Sequence, residues 1–440
     1  MRFSVLRCSL VRGIFHTAFL NLLLVFIPAL MFFSPPKAMG GNGLPDAGKH
    51  AGSISQIDIQ PGGLLQGDYR YFAENKRADN RFDIRRARLM IAGQLGGLGD
   101  FEFEYEMQDN APANLLDAYL AADLGPHSLV AGQFKVPFSL QWQTRNHNLY
   151  FAERSMGEYL GPGRDIGVMV NGPIFQETLY YAAGLFNGNG IGNSINRKVH
   201  DDPEIAVRMV WQPLRHTDTF LHSLSVGASG TYARIDTPNI GLKVRTTGMV
   251  IGNRRIFDLS HNTKFGVIES VDRRDRWGLE AAWTAGPLGV AGEYIAMHYR
   301  DIVAVGEKPR DAKFSSAYAS LVYAVTGEAI RIENGRYQAF VPDQPFNPGG
   351  GTYGGLCIAA RYSCFDGDPD WINPEAHVSV SNAEAYSIAV NWVLSKNLRL
   401  LLDFTHTNLS DPIRVRVLPD GRVDYITEED VATLRFSLCL

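Results

Sequence analysis

The chain has 440 residues, 45% hydrophobic and 20% charged, with a formal net charge of −4 at pH 7. That length holds two or three ordinary domains or one large barrel, and an acidic balance gives no reason to invoke nucleic acid as a partner. Beyond the first forty residues no stretch approaches the roughly 18 to 20 consecutive apolar residues of a spanning helix, which excludes a helical membrane domain.

At the N-terminus Arg2, Arg7 and Arg12 precede the apolar run FLNLLLVFIPALMFF (19 to 33), followed by SPPKAMGG. A basic head, an apolar middle and small residues after it predict a secretory signal peptide over 1–40, cut after Gly40 or, alternatively, after Ala38. Its removal takes away three Arg, one Lys and no acid, moving the formal charge from −4 to −8. Residues 41–60 read as an N-terminal extension and 61–440 as one folded unit. Cys8 leaves with the signal, and the odd set Cys357, Cys364 and Cys439 argues against a disulfide framework. If 357–364 is a strand, its ends lie about 23 Å apart, far beyond the roughly 7 Å a bridge needs.

From residue 61 onward nearly every readable segment has period two. RARLMIAGQL (86 to 95) puts Leu89, Ile91 and Leu95 on one face and Arg86 and Arg88 on the other. GDFEFEYEMQD (99 to 109) alternates Phe101, Phe103, Tyr105 and Met107 with Glu102, Glu104 and Glu106. SLVAGQFKV sets Val130, Phe134 and Val136 opposite Gln133 and Lys135, and DIGVMVNG sets Ile166, Val168 and Val170 opposite Met169 and Asn171. EIAVRMVW, RWGLEAAWTA and the hairpin AEAYSIAVNWVLSKNLRLLLDFTHT continue the pattern, with Arg208, Glu280, Asn391, Arg399 and Asp403 on the polar faces. Arg361 likewise reads as an inward strand residue.

The short connections GGLG, GPHS, AGPLG and LSKN alternate with longer polar stretches near 140–163, 187–203, 233–275, 300–312 and 333–355. Short turns at one end and long loops at the other are the layout of an outer-membrane barrel, with apolar side chains toward lipid and polar ones toward a wet lumen. Roughly sixteen strands of about 11 residues would use some 180 residues and leave about 220 for connections. Phe101, Tyr119, Trp211, Trp277 and Trp392 fall at strand ends, where an interfacial aromatic girdle belongs. The chain ends inside a strand, with Leu434, Phe436, Leu438 and Leu440 alternating with Arg435, Ser437 and Cys439. A soluble sandwich rarely ends on so greasy an edge, whereas a closing barrel strand has a partner.

The ordered stretches GGLLQGDYRYF, IRRARL, DAYL, VAGQFKVPFSL, FAERSM, GPGRDIGV, YYAAGLFNGNG, WGLEAAWTAG, AGEYI, VTGE, AARYS and VNWVLSKNLRLLLDFTHT resemble the phosphate-selective porin O and P family across roughly 61–440. The resemblance implies an all-β fold: a transmembrane antiparallel barrel of about sixteen strands with short periplasmic turns, long extracellular loops and an inward-folded constriction loop. It further implies a bacterial outer-membrane location, a homotrimer, and passive diffusion of anions such as inorganic phosphate or polyphosphate. Three positions depart from the family's pattern. Leu356 and Cys357 stand for a frequent Trp-Glu pair, Leu440 for a terminal aromatic, and Leu64 for an arginine of some members.

A phosphate-conducting lumen needs donors spaced along the path, weak enough to release the ion, and arginine's planar fork gives two parallel bonds to phosphate oxygens. Arg86 and Arg88 face inward by parity and lie across the turn from Glu104 and Glu106, so an ion-pair ladder along the wall and a conducting role both suit them, with Arg85 beside them. Lys135, Arg154 and Arg164 frame QWQTRNHNLYFAERSMGEYLGPGRD, which by resemblance is the third, inward-folding loop; Glu153 and Asp165 are their adjacent acids. Lys243 and Arg245 in NIGLKVRTTGMVIGNRRIF correspond to the family's basic fifth loop. Anion-binding or pore-lining candidates are therefore Arg85, Arg86, Arg88, Lys135, Arg154, Arg164, Lys243 and Arg245. No GxSxG, HExxH or P-loop is present, so the chain reads as a non-enzyme without cofactor. HTDTFLH (216 to 222) is weak as a metal site, and none is expected. The competing readings are a general or organic-solute porin, suggested by the charge of −8 and the inward glutamates, and a non-conducting barrel.

Overall fold

The computed structural model describes residues 57–440 other than 74–77, 109–113, 189, 191–201, 236–241, 249–254, 260–262 and 418. The signal peptide and most of the N-terminal extension lie outside the described residues.

Sixteen strands make the wall: β1 (Ile57–Phe72), β2 (Arg81–Leu95), β3 (Gly99–Glu106), β4 (Leu115–Leu124), β5 (His127–Lys135), β6 (Arg164–Ile174), β7 (Leu179–Phe186) and β8 (Glu204–Trp211). They continue as β9 (Ser225–Arg234), β10 (Arg273–Ala285), β11 (Leu288–Ala304), β12 (Arg310–Ala324), β13 (Gly355–Asp366), β14 (Asn382–Val393), β15 (Leu398–Val417) and β16 (Val423–Cys439). Each pairs antiparallel with the next, and β1 also pairs with β16 from Leu64↔Cys439 to Phe72↔Val431. The greasy C-terminal strand thus closes a barrel, which removes the edges. Cys357 and Cys439 are free thiols, so no bridge joins Cys357 to Cys364.

Alternation decides which way each side chain looks. Leu89, Ile91, Phe103, Tyr105, Ile388, Leu402, Phe404, Leu434 and Phe436 are exposed on the outer face, while Arg86, Glu104, Glu106, Asp403 and Arg435 are buried within. The hydrophobicity is therefore inside out relative to a soluble core, as a barrel in lipid requires. Two rows differ from the sequence reading. Val130 and Phe134 look inward, where they pack with Phe186, Ala206, Tyr119 and Ala121, because their strand pairs Ala131 with the outward Leu120. Tyr119 is accordingly not part of an outer girdle; its hydroxyl donates to Glu102 at 3.2 Å.

Ile57, Leu440 and the turns 96–98, 125–126, 175–178, 212–224, 286–287 and 394–397 lie at one end of the barrel. Two of the expected long loops are corrected. Residues 300–312 are mostly strand, leaving only 305–309 as a connection, and 325–354 lies at the short-turn end rather than the long-loop end. That sixth turn enters the lumen from below. The third loop, 136–163, enters from above, and the two meet inside the barrel.

Candidate pore site

The third loop leaves β5 and returns to β6 through Val136 N–H donating to Gly163 O at 3.0 Å. Ser139 opens a single-turn helix, Leu140–Gln143, by accepting from Trp142 N–H. The wall caps the same helix: Glu293 accepts from the N–H groups of Leu140 and Gln141 at 2.6 and 3.0 Å. A loop buried in a lumen must find partners for its backbone, and inward side chains of β13–β16 supply them. Arg361 donates to Glu153 O, Asn391 to Tyr150 O and Arg399 to Leu149 O, each at 2.9 Å, while Arg435 reaches Ala152 O. Asp403 accepts from Ala152 N–H at 3.1 Å.

At the tip of this loop the Glu153 carboxylate is the centre of a buried charge cluster. Arg85 grips it with two bonds of 2.7 and 3.0 Å, and Arg70, Arg86 and Arg435 reach it at 2.9, 3.1 and 2.8 Å. Asp68 takes Arg70 at 2.7 Å and Arg435 at 2.6 and 2.8 Å. Four guanidinium groups therefore share two carboxylates. Burial alone would raise the Glu153 pKa, but the surrounding arginines outweigh it and hold the group well below the usual glutamate range. Arg85 and Arg86 can both look inward because the β1–β2 register slips there, Gln66 facing Arg86 and Gly67 facing Ile84. This bulge re-aims one side chain and is invisible to simple parity.

The other predicted residues are distributed as follows. Arg88 lies opposite Glu106 and binds it and Glu104 at 2.8 and 3.0 Å. Arg164 holds Asp117 at 3.0 and 2.6 Å and Glu104 at 3.0 Å. Lys135 donates to Trp142 O and Thr144 O at 2.9 and 3.2 Å. Arg154 donates to Gln141 O and Thr144 O at 2.8 and 2.9 Å and lies over the Trp142 ring. Lys135 and Arg154 thus organise the loop itself. Lys243 and Arg245 are half-buried on the fifth loop, whose Leu242, Val244, Ile256, Phe257 and Leu259 pack on Phe138, Met156 and Leu160 of the third. Both loops therefore share one apolar core on the β10–β15 side of the lumen.

Sequence reasoning missed the sixth turn. Its signal was present: IENGRY carries an Asn-Gly pair between Ile332 and Tyr337, the strongest short-range mark of a hairpin. Asn334 and Gly335 both take positive φ, 49° and 63°, and Ile332↔Tyr337 and Glu333↔Arg336 pair. The tip docks on the wall. Arg208, bound to Glu280 at 3.0 and 2.5 Å, donates to the carbonyls of Asn334 and Gly335 at 3.3 and 2.9 Å. The two intrusions also touch: Tyr337 N–H donates to Thr144 Oγ1, Asn148 donates to Tyr337 O, and the Tyr150 and Tyr337 rings meet edge to face at 5.3 Å.

Below the third loop and beside this hairpin lies a cavity of about 550 Å³, lined by β1–β7 and the end of β16 of the wall, by 143–148 and by 333–338. A barrel whose lumen is narrowed from within but still holds polar space is a channel architecture.

The family model for phosphate-selective porin O and P matches residues 59–420. The chain belongs to that family. It is an outer-membrane porin barrel, and family and fold are those of a channel. A protein of Caulobacter vibrioides whose function is not described is 25% identical over 403 residues, covering 89% of this chain and 73% of that one. Among solved structures, an anion-selective porin from Comamonas acidovorans superposes with a TM-score of 0.51 at 12% identity, covering 88% of this chain and all of that one, 100%. A loop-deletion form of the outer-membrane protein OmpT of Vibrio cholerae gives 0.50 at 11% identity over 87% and 99% of the two chains. At such identities these two structures speak for the fold alone.

Proposed function

We propose that this porin is a passive channel that favours anions, inorganic phosphate or polyphosphate among them, and that it works as a homotrimer. The observation that carries the anion preference is the cluster under the third loop, where, among the described residues, Arg70, Arg85, Arg86 and Arg435 pair with two carboxylates, Asp68 and Glu153. Excess positive charge in a low-dielectric constriction raises the local concentration of anions and repels cations. Arg85 is the most exposed member, its side chain 23% exposed; its fork is taken by Glu153, so it acts on a passing anion by its charge. Lys135, Arg154 and Arg164 contribute by holding the constriction in shape, and Lys243 and Arg245 by adding charge above it.

Reversal potentials across a planar bilayer in a KCl gradient test this reading. It expects a potential of the sign set by chloride, and chloride current reduced by added phosphate; cation selectivity with no phosphate block overturns it. The trimer is read from the native mass of the folded protein in detergent. A second reading, a general porin, is favoured by one observation: Arg88 and Arg164 are both matched by carboxylates. It expects neutral sugars to pass as readily as anions.

A further inference from the structure

We propose that the cavity between the third loop and the sixth turn is a binding subsite for a hydroxylated organic anion, a sugar acid being the simplest form, with Arg336 as its anion-binding group. The proposal rests on the channel reading and deepens it by naming a solute class for a second station below the constriction.

Arg336 is the cation of this cavity that the protein leaves unmatched. Arg88, Arg145 and Arg164 each bind a carboxylate, and Lys135 is taken by backbone carbonyls. Among the described residues no carboxylate lies within ion-pair distance of Arg336. Its guanidinium, half-buried, lies over the Tyr180 ring, 5.8 Å from the centroid, and lines the cavity. A stacked guanidinium keeps its edge donors free for a carboxylate or phosphate.

The second observation concerns acceptors. Asn148 spends its amide N–H on Tyr337 O, which fixes the orientation of the side chain, and its Oδ1 on the cavity lining is buried without a partner. Asn146, only 9% exposed, carries a second unpartnered Oδ1 on the same lining. Buried acceptors left unmade cost free energy that a ligand with donors recovers. A bare anion brings charge but few donors; a polyol brings donors but no charge. The lining therefore asks for both on one molecule. The volume agrees, since 550 Å³ lies in the range of sites for organic ligands and far exceeds one inorganic ion.

The test uses the full-length folded protein in planar bilayers, with D-glucuronate, D-glucose and inorganic phosphate as blockers of the KCl current. Glucuronate should half-block at a concentration about tenfold below the other two, the scale of one charge-assisted hydrogen bond. Arg336→Gln should erase the advantage of glucuronate over glucose, and Arg336→Lys should restore part of it. Asn148→Ala should weaken glucuronate and glucose together and leave phosphate block as it is. Phosphate blocking as tightly as glucuronate in the wild type, or glucuronate block indifferent to Arg336→Gln, overturns the proposal while the channel reading stands. Absence of any wild-type conductance would instead defeat the channel reading. Calorimetric titration of glucuronate into the detergent-folded barrel then decides the site by itself: heat lost in Arg336→Gln supports it, and no saturable heat rejects it.

Discussion

The third loop and the sixth turn enter the same lumen from opposite ends, and they are held there differently. The loop is anchored through its backbone and also by a buried side chain: Glu153 sits among four arginines drawn from β1, β2 and β16. The turn is anchored by its backbone, whose Asn334 and Gly335 carbonyls accept from Arg208. A buried carboxylate is a strong anchor, because losing it strands charges away from water. Carbonyl anchors are weaker and depend on the chain keeping one shape. The loop is therefore the fixed part of the constriction and the turn the more easily displaced part.

Removing the fixed anchor should give the largest effect. Glu153→Ala leaves the four guanidiniums with Asp68 alone, and breaking a buried ion pair costs about 3–5 kcal/mol. The urea midpoint of the folded barrel should fall by that equivalent, and protease should gain access to 149–163. An unchanged midpoint would mean that the cluster does not hold the loop. Gly335→Val tests the weaker anchor. A Cβ there would collide with Arg208 and Glu280, and left-handed backbone costs a branched residue about 1–3 kcal/mol. The hairpin should leave the lumen and KCl conductance should rise, with loop cleavage as in wild type. A conductance equal to wild type would show that the turn does not narrow the path.

The response to acid should be smaller. Because the arginines depress the Glu153 pKa in the folded state, its stabilisation is complete above the ordinary glutamate range near about 4.3. It is lost only as pH falls through the lower folded value. Fluorescence of Trp142, in the same loop, should stay level from neutral pH to about 4.5 and change only in stronger acid; a transition at mildly acid pH would contradict the charge cluster. The smallest effect belongs to His147. Burial, with Arg145, Arg399 and Lys135 nearby, lowers its pKa to about 3, so it stays neutral where an ordinary histidine titrates, near about 6.5. Since the folded value lies below the unfolded one, its linkage can only cost stability as pH falls below that ordinary value. Conductance of wild type and His147→Gln should be level between about pH 5 and 8.

The wall was legible because a strand's period is two and one of its faces must meet lipid. The rows Leu89/Ile91, Phe103/Tyr105 and Leu434/Phe436 state which side is out with no knowledge of their neighbours. Arg88 opposite Glu106 followed from that parity and the short turn between β2 and β3. The third loop could be read as an intrusion only through its resemblance to the family's inward-folding third loop. What parity could not supply was the content of the lumen. The bulge that turns both Arg85 and Arg86 inward depends on how β1 and β2 register. Phe134 looks inward because β4 and β6 fix its strand's facing. The sixth turn looked like any polar surface connection, although Asn334-Gly335 marked its tip.

By itself the sequence determined that this is a barrel with a greasy outside, and, for rows such as Arg86/Arg88 and Glu104/Glu106, which wall residues face in. Only the tertiary structure decided who partners whom inside: that Glu153 gathers four arginines, that the turn after β12 rises into the lumen, and that Arg336 is left over. The physical reason is range. Alternation is set by each strand's own backbone, whereas the partners of Glu153 arrive from positions 70, 85, 86 and 435 and meet only when the barrel closes.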